Sequence, residues 1–291
     1  MKILIAGGSG FVGTNLAKHL SKKHDLTLLS RSKKLVDGFE QVITWDMLDE
    51  SSIEQFEVVI NLCGYNIGQK RWSDAVKHKI ISSRIEPTTK LTELIGDKNI
   101  WLINASAIGF YSFSKTRQDE DEYIKSDSLS FSQQIVDKWE SAVRDSKLNK
   151  YTLLRFGVVI GGGGVLDKMT MTAKLGVLTK FASGKQLMTW VSIHDLCRAF
   201  DFVIDQQFCA KETFNLTAPN ATSNAQMIQG IKNFTKVKLV MTMPEFAIKV
   251  LFGQMGEELL LSNQNIYPKR LVGRGFVFDD QEIEKALVRY L

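Results

Sequence analysis

Gly7, Gly10 and Gly13 in "IAGGSGFVG" are the residues whose type and spacing point most directly to chemistry. They stand between a short apolar run, "KILIA" (Lys2 to Ala6), and a stretch with Phe11, Leu16 and Leu20 at helical spacing. In a strand–turn–helix unit, Gly7 permits the tight turn and Gly10 lets the backbone approach a diphosphate with no Cβ in the way. Gly13 allows the helix to pack closely on the strand. A diphosphate then rests at the helix N-terminus, where free N–H groups and the helix dipole favour an anion. Dinucleotide binding is the expectation, with Phe11 and Val12 beside the glycines and Leu62, Cys63 and Gly64 at the end of a later strand as further contacts.

The end of the next apolar run, "LTLLSRSKK", bears on which dinucleotide. An acidic residue there would hold the two ribose hydroxyls of NAD. This chain has Ser30, Arg31 and Ser32 instead. A guanidinium can grip a 2′-phosphate with two parallel hydrogen bonds and a serine can add a third, so Arg31 and Ser32 predict NADP(H) over NAD(H).

These residues need a rigid platform, and the chain supplies one. "LTLLS", "VITW", "VVINLCG", "IWLINAS" and "YTLLRF" are short apolar runs separated by helical stretches, one of them long, from about Ser73 to Ile95. Buried strands alternating with helices predict an α/β fold with a doubly wound parallel sheet. The rhythm changes after Phe156. "GVVIGGGGVLDKM" reads as a glycine-rich loop entering a helix, and "TWVSIHDLCRAFDFVI" as a strand remnant and a helix with Asp195 as N-cap. "ETFNLTA" is one more strand, and the rest, from Thr222, is largely helical. The expected division is a dinucleotide-binding domain over 1–156, rejoined by about 189–217, with 157–188 and 218–291 forming a smaller, mostly helical lobe.

Composition excludes several classes. The net charge of +5 is spread along 291 residues, with no basic stripe for nucleic acid, and no apolar run is long enough to span a membrane. Cys63, Cys197 and Cys209 are far apart, without metal-site or disulfide spacing, and the four histidines form no metal pattern. "MKILIAGG" passes directly into fold-forming sequence, so a reduced, cytoplasmic protein is expected, with a small-molecule substrate as partner and a homodimer left open.

Together these pieces resemble the extended short-chain dehydrogenase/reductase superfamily, specifically its NAD(P)-dependent "epimerase family protein" branch. The resemblance rests on "GGSGFVG", "VVINLCGYNIGQKRW", "NASAIGFY", "LLRFGVVIGGGGVLDKM", "GKQLMTWVSIHDL" and "FGQMGEELLLSNQNIYPKRLVGRGFVF", and so covers nearly the whole chain. It implies a serine that binds the reacting group and a Tyr-x-x-x-Lys helix that supplies acid/base chemistry. Ser106 matches the serine. In "FSQQIVDKWE", however, Phe131 stands where the tyrosine belongs and Ile135 where the lysine belongs. Phenylalanine moves no proton and isoleucine holds no hydroxyl, so the usual mechanism is missing.

Tyr111, five residues beyond Ser106, is the first candidate to replace the tyrosine. Arg84 is a candidate contact for the cofactor or a substrate anion. Arg155 at the end of its strand, with Lys185 and Trp190, are candidate substrate contacts. The acidic run "RQDEDE", with Glu120 and Asp121, reads as a solvated turn, and "GGGG" (Gly161 to Gly164) as a lid hinge or a phosphate cradle. Two readings remain: an NADP(H)-dependent epimerase- or reductase-like enzyme with altered acid/base chemistry, or a catalytically silent NADP(H)-binding sensor.

Overall fold

The computed structural model describes residues 1–123, 129–235, 237 and 239–291. Its first half alternates strands and helices except between β2 and β3: β1 (Lys2–Ala6), α1 (Phe11–Leu20), β2 (Asp25–Ser30), β3 (Gln41–Thr44), α2 (Glu50–Ile53), β4 (Val58–Asn61), α3 (Asp74–Ile95), β5 (Trp101–Ala107), α4 (Phe131–Arg144) and β6 (Lys150–Phe156). β7 (Val158–Ile160), α5 (Val165–Met171), β8 (Val177–Phe181), β9 (Leu187–Met188) and β10 (Trp190–Ser192) then leave this rhythm. α6 (Ile193–Asp205) and β11 (Ala210–Leu216) resume it.

Seven strands form one sheet in the order β11-β6-β5-β4-β1-β2-β3, every pair parallel. The chain starts in the middle and winds outward both ways, so its direction reverses between β1 and β4. Ligands bind at such a crevice, at the carboxyl ends of the strands.

The strands alternate their apolar side chains between two cores, as a pleated strand must. Ile3 and Ile5 face α1 and α6, where Leu16, Leu20 and Phe200 are fully buried. Leu4 and Ala6 face α3 and α4, where Leu91, Ile95 and Val143 are fully buried. With both faces covered, the strands read as continuous apolar runs, which is why they were legible in the sequence.

A second lobe adds β12 (Thr222–Ser223), α7 (Asn224–Phe234), β13 (Leu239–Met243), α8 (Glu245–Phe252), α9 (Gln254–Gly256), a π-turn (Glu257–Leu261), α10 (Lys269–Gly273) and α11 (Ile283–Tyr290). It has its own core, in which Trp190, Met227, Ile231 and Leu287 are wholly buried. β10 pairs with β7 outside the main sheet, with Val191 buried in the same core as α1 and α6, and β11 joins the sheet beside β6. The cap of α6 also differs from expectation. Ser192 caps it by accepting the Asp195 N–H, while Asp195, fully buried, accepts the N–H groups of Asp279 and Asp280 and so ties the C-terminal segment to α6.

Candidate functional site

The glycine loop has the shape its spacing predicts. Gly7 has φ +77°, and a Cβ there would lie 2.8 Å from the Leu62 carbonyl carbon. It therefore brings the loop hard against the backbone that leaves β4. Gly10 is the N-cap of α1 and offers no side chain to the first-turn N–H groups; a Cβ on it would meet nothing nearer than 3.4 Å. That leaves a helix N-terminus facing open space, the setting that suits a diphosphate. Gly13 departs slightly from expectation, because its missing Cβ makes room for the Gly8 backbone, 2.5 Å away, rather than for a strand. Phe11 and Val12 are half-buried beside it.

Arg31 and Ser32 lie exposed just past β2, and Arg31 pairs with no carboxylate among the described residues. Its charge is felt at Cys63, where it opposes the burial that pushes the thiol up to about 12. Cys63 itself is fixed by Asn61, whose side-chain oxygen accepts the Cys63 N–H at 3.1 Å and whose amide donates to Asn104 at 2.7 Å and Thr88 at 2.9 Å. Thr88 also accepts the Trp139 indole N–H. These bonds lock the ends of β4 and β5 to α3 and α4.

The positions where the superfamily keeps its tyrosine and lysine are filled differently here. Phe131 and Ile135 are buried in an apolar cluster with Trp72, Ile80 and Met255, and the Trp72 ring meets Phe131 edge-on at 4.9 Å. The C-terminal lobe closes this end. Glu258 accepts the Phe131 N–H at 3.1 Å, the Ser132 N–H at 2.9 Å and the Ser132 hydroxyl at 2.6 Å, capping α4 with a carboxylate. The sequence reading missed Glu258, because it sits 127 residues from the helix it caps. Lys77, also missed, places its ammonium 5.1 Å from the centre of the Phe131 ring.

Ser106 and Tyr111 lie in a closed polar network. Register sets Ser106 beside Arg155 and Arg155 beside Asn215 on adjacent strands. Ser106 is 2% exposed and donates to Glu140 at 2.6 Å. Arg155, buried to the same degree, donates to Glu140 through Nε at 2.7 Å and Nη2 at 2.8 Å, and to the Tyr111 hydroxyl at 3.0 Å. Tyr111 in turn donates to Asn215 at 2.9 Å. Burial pushes the Tyr111 hydroxyl up to about 12 despite the nearby Arg155 charge. A phenol so enclosed is poorly placed to trade protons near neutrality. Tyr111 and Lys115 do stand at Tyr-x-x-x-Lys spacing. The chain is extended at Tyr111 and not helical through Lys115, so the two share no helix face.

The remaining candidates are scattered. Arg155 is buried, its guanidinium turned to Glu140 and Tyr111. Trp190 is wholly buried and donates to the Asn220 carbonyl in the second lobe's core, and Lys185 lies on an exposed turn. Glu120 is no solvated turn residue: it is 7% exposed and accepts the Asn215 N–H at 2.9 Å on the outer edge of β11. Asp121 pairs with Lys269 at 2.7 Å, fastening the acidic run to the second lobe. Of the four glycines at 161–164, three pack on Phe11 or Ile193: a Cβ on Gly161 would lie 2.5 Å from Ile193, one on Gly163 3.1 Å and one on Gly164 2.9 Å from the Phe11 ring, while one on Gly162 would meet nothing. Close approach accounts for those three.

The histidines form two clusters with carboxylates, His24 with Asp201 and Asp205, and His194 with Asp195 and Asp279. Each already holds a cation, Lys23 in the first and Arg198 in the second.

Comparison with known proteins agrees with this geometry. Residues 3–217 match the model of the NAD dependent epimerase/dehydratase family, and residues 243–289 match a domain of unknown function, DUF1731. Epimerase family protein Mb2239 of Mycobacterium bovis is 33% identical, over 98% of this chain and 96% of its own. The crystal structure of human epimerase family protein SDR39U1 with NADPH superposes with a TM-score of 0.86 at 27% identity, covering 99% of this chain and 98% of that one. A nucleoside-diphosphate sugar epimerase from Corynebacterium glutamicum matches at 25% identity and TM-score 0.76, covering all of this chain and 58% of its own. With a central parallel sheet, a glycine loop at the switch point and a family match over most of its length, this chain belongs to the NAD dependent epimerase/dehydratase family.

Proposed function

We propose that the protein binds NADP(H) and uses it in an epimerase- or reductase-type reaction on a small molecule, with Phe131 and Ile135, which transfer no proton, in the place of the usual tyrosine and lysine. The observation that carries the reading is the uncapped N-terminus of α1 behind Gly7 and Gly10, with Arg31, which pairs with no carboxylate among the described residues, beyond β2. The diphosphate would rest on the first and the 2′-phosphate on the second. The human relative solved with NADPH supports the choice of cofactor. When bound, the cofactor supplies or takes up hydride.

The chain's own contribution is positioning. Phe131, Ile135 and Trp72 make an apolar wall, and the Asn61–Asn104–Thr88 bonds hold the strand ends rigid. The network around Ser106 and Tyr111 is already satisfied internally, so solvent water is the proton source we assign.

A second reading, a cofactor-binding sensor without turnover, draws on that apolar wall, since a site with no proton-transfer group has no need to turn over. An NADPH-oxidation screen of carbonyl compounds separates the two. Oxidation that survives Tyr111→Phe supports the enzyme with water as its acid. Binding with no oxidation across the screen supports the sensor, and oxidation abolished by Tyr111→Phe overturns the proton assignment.

A further inference from the structure

His24, in the turn between α1 and β2, has both ring nitrogens shut off from solvent and bonded to nothing among the described residues. Oδ1 of Asp201, on α6, is buried and unbonded in the same way. With Asp205 these two side chains form a group whose ligand atoms all lie within 4.8 Å of one another. Buried polar atoms are almost always paired, so unmet atoms on two neighbouring side chains call for a cause.

The carboxylates themselves stand in an unfavourable place. Asp201 and Asp205 lie one turn apart at the C-terminal end of α6, whose last turn holds no basic residue, and the helix dipole disfavours negative charge there. Lys23 answers this in part, donating to Oδ2 of Asp201 at 2.8 Å and Oδ2 of Asp205 at 3.0 Å. Its side chain is 51% exposed, and it leaves Oδ1 of Asp201 and the His24 ring untouched. Burial lowers the His24 pKa against the pull of both aspartates, so at pH 7 the ring is neutral and one nitrogen keeps its lone pair. The His194 cluster differs. There His194 bonds Asp279 at 2.8 Å, Arg198 joins Asp195 and Asp279, and no buried side-chain atom is left unmet.

We infer that His24, Asp201 and Asp205 bind a zinc ion, with the Lys23 ammonium as its placeholder, turning out to solvent when the metal enters. One imidazole and two carboxylates are a donor set zinc accepts, and water completes the tetrahedron. His19, with Nε2 3.5 Å from Oδ2 of Asp201, orients that carboxylate from outside the set. The chain shows no metal spacing because the fold makes the group: Lys23 and Asp201 are 178 residues apart. His24 immediately precedes β2, so the ion sits at the amino end of the sheet, away from the cofactor crevice. It clips the α1–β2 turn to the end of α6, and it does not depend on the NADP(H) reading.

The test is calorimetric titration of the chelator-treated protein with zinc chloride, beside thermal unfolding with and without the metal. The variants are His24→Asn, Asp205→Asn, Lys23→Met and, as control, His194→Asn. The wild-type protein is expected to bind zinc and to melt at a higher temperature with it, while NADPH binding stays the same. Losing an outer-shell partner weakens a metal site roughly ten- to a hundredfold, and losing a direct ligand costs at least as much, so His24→Asn and Asp205→Asn should each lose that or more. Lys23→Met should bind zinc more tightly, because nothing competes for the carboxylates, and His194→Asn should match wild type. Asp205 is half-exposed at a helix end, and its variant's unfolding without zinc reports any defect in the fold itself. No zinc binding by the wild-type protein overturns the inference. So does affinity unchanged in both His24→Asn and Asp205→Asn, or affinity lost in His194→Asn instead, or weaker binding in Lys23→Met.

Discussion

Replacing Arg155 by methionine distinguishes a substrate contact from a structural one. In the folded protein Arg155 makes two hydrogen bonds to Glu140 and one to Tyr111, and its guanidinium carbon lies over the Phe110 ring. Burial opposes its charge, but the Glu140 bonds outweigh that, and the net push on its pKa is upward. The methionine side chain fills much of the space and carries no charge. Glu140, 3% exposed in its side chain, keeps the Ser106 hydroxyl and Arg144, whose own side chain is 42% exposed. Breaking a buried ion pair on one side costs about 3–5 kcal/mol. The two bonds Glu140 retains place this case near the lower end, at about 3 kcal/mol, which in a domain of this size lowers Tm by roughly 6–12 °C. The assay is urea and thermal unfolding of Arg155→Met beside Glu140→Met and the double variant. The double variant is expected to be less destabilised than the two single effects summed, since it leaves neither charge stranded. An Arg155→Met protein within about 0.5 kcal/mol of wild type would refute the reasoning. If it also lost turnover, Arg155 would return to the substrate role that its position at a strand's carboxyl end suggests.

Two further outcomes follow from buried titratable groups. Burial pushes the Cys63 and Cys197 thiols up to about 12, so neither is expected to take up iodoacetamide at pH 8 in the native protein, while urea exposes both; peptide mass spectrometry reads the result, and native labelling of Cys63 would contradict the packing behind the glycine loop. Glu120 has its carboxyl raised, chiefly by desolvation and against the hydrogen bonds from Asn215 and Arg270. The folded state then holds that proton more tightly than the unfolded one, so Glu120 makes stability fall as pH rises from the ordinary carboxyl value through the raised one. Glu120→Gln should flatten Tm against pH in that window, and an unchanged slope would count against the burial.

The fold was legible because a sheet covered on both faces writes its strands as apolar runs, and because the glycine loop is local: Gly7, Gly10 and Gly13 lie within seven residues. What the sequence hid is long-range. Arg155 looked free because nothing nearby in the chain shows that Glu140, on the helix before it, turns it inward. Glu120 looked solvated because its partners, Asn215 and Arg270, lie 95 and 150 residues away. Trp190 looked like a cleft residue, but the second lobe builds its core around it. Even the empty acid/base positions carried only half their message. The sequence shows that Phe131 and Ile135 cannot do the usual chemistry, while only the fold shows Trp72, Met255 and Glu258 sealing the place.

The central claim is a 2′-phosphate site at Arg31 beside an intact glycine loop. Its most direct test is a fluorescence titration of the purified protein, and of Arg31→Ala, with NADPH and NADH in parallel. The account predicts that wild-type protein prefers NADPH and that Arg31→Ala loses most of that preference while NADH binding is unchanged. A wild-type preference for NADH of about tenfold, or 1.4 kcal/mol, would contradict it.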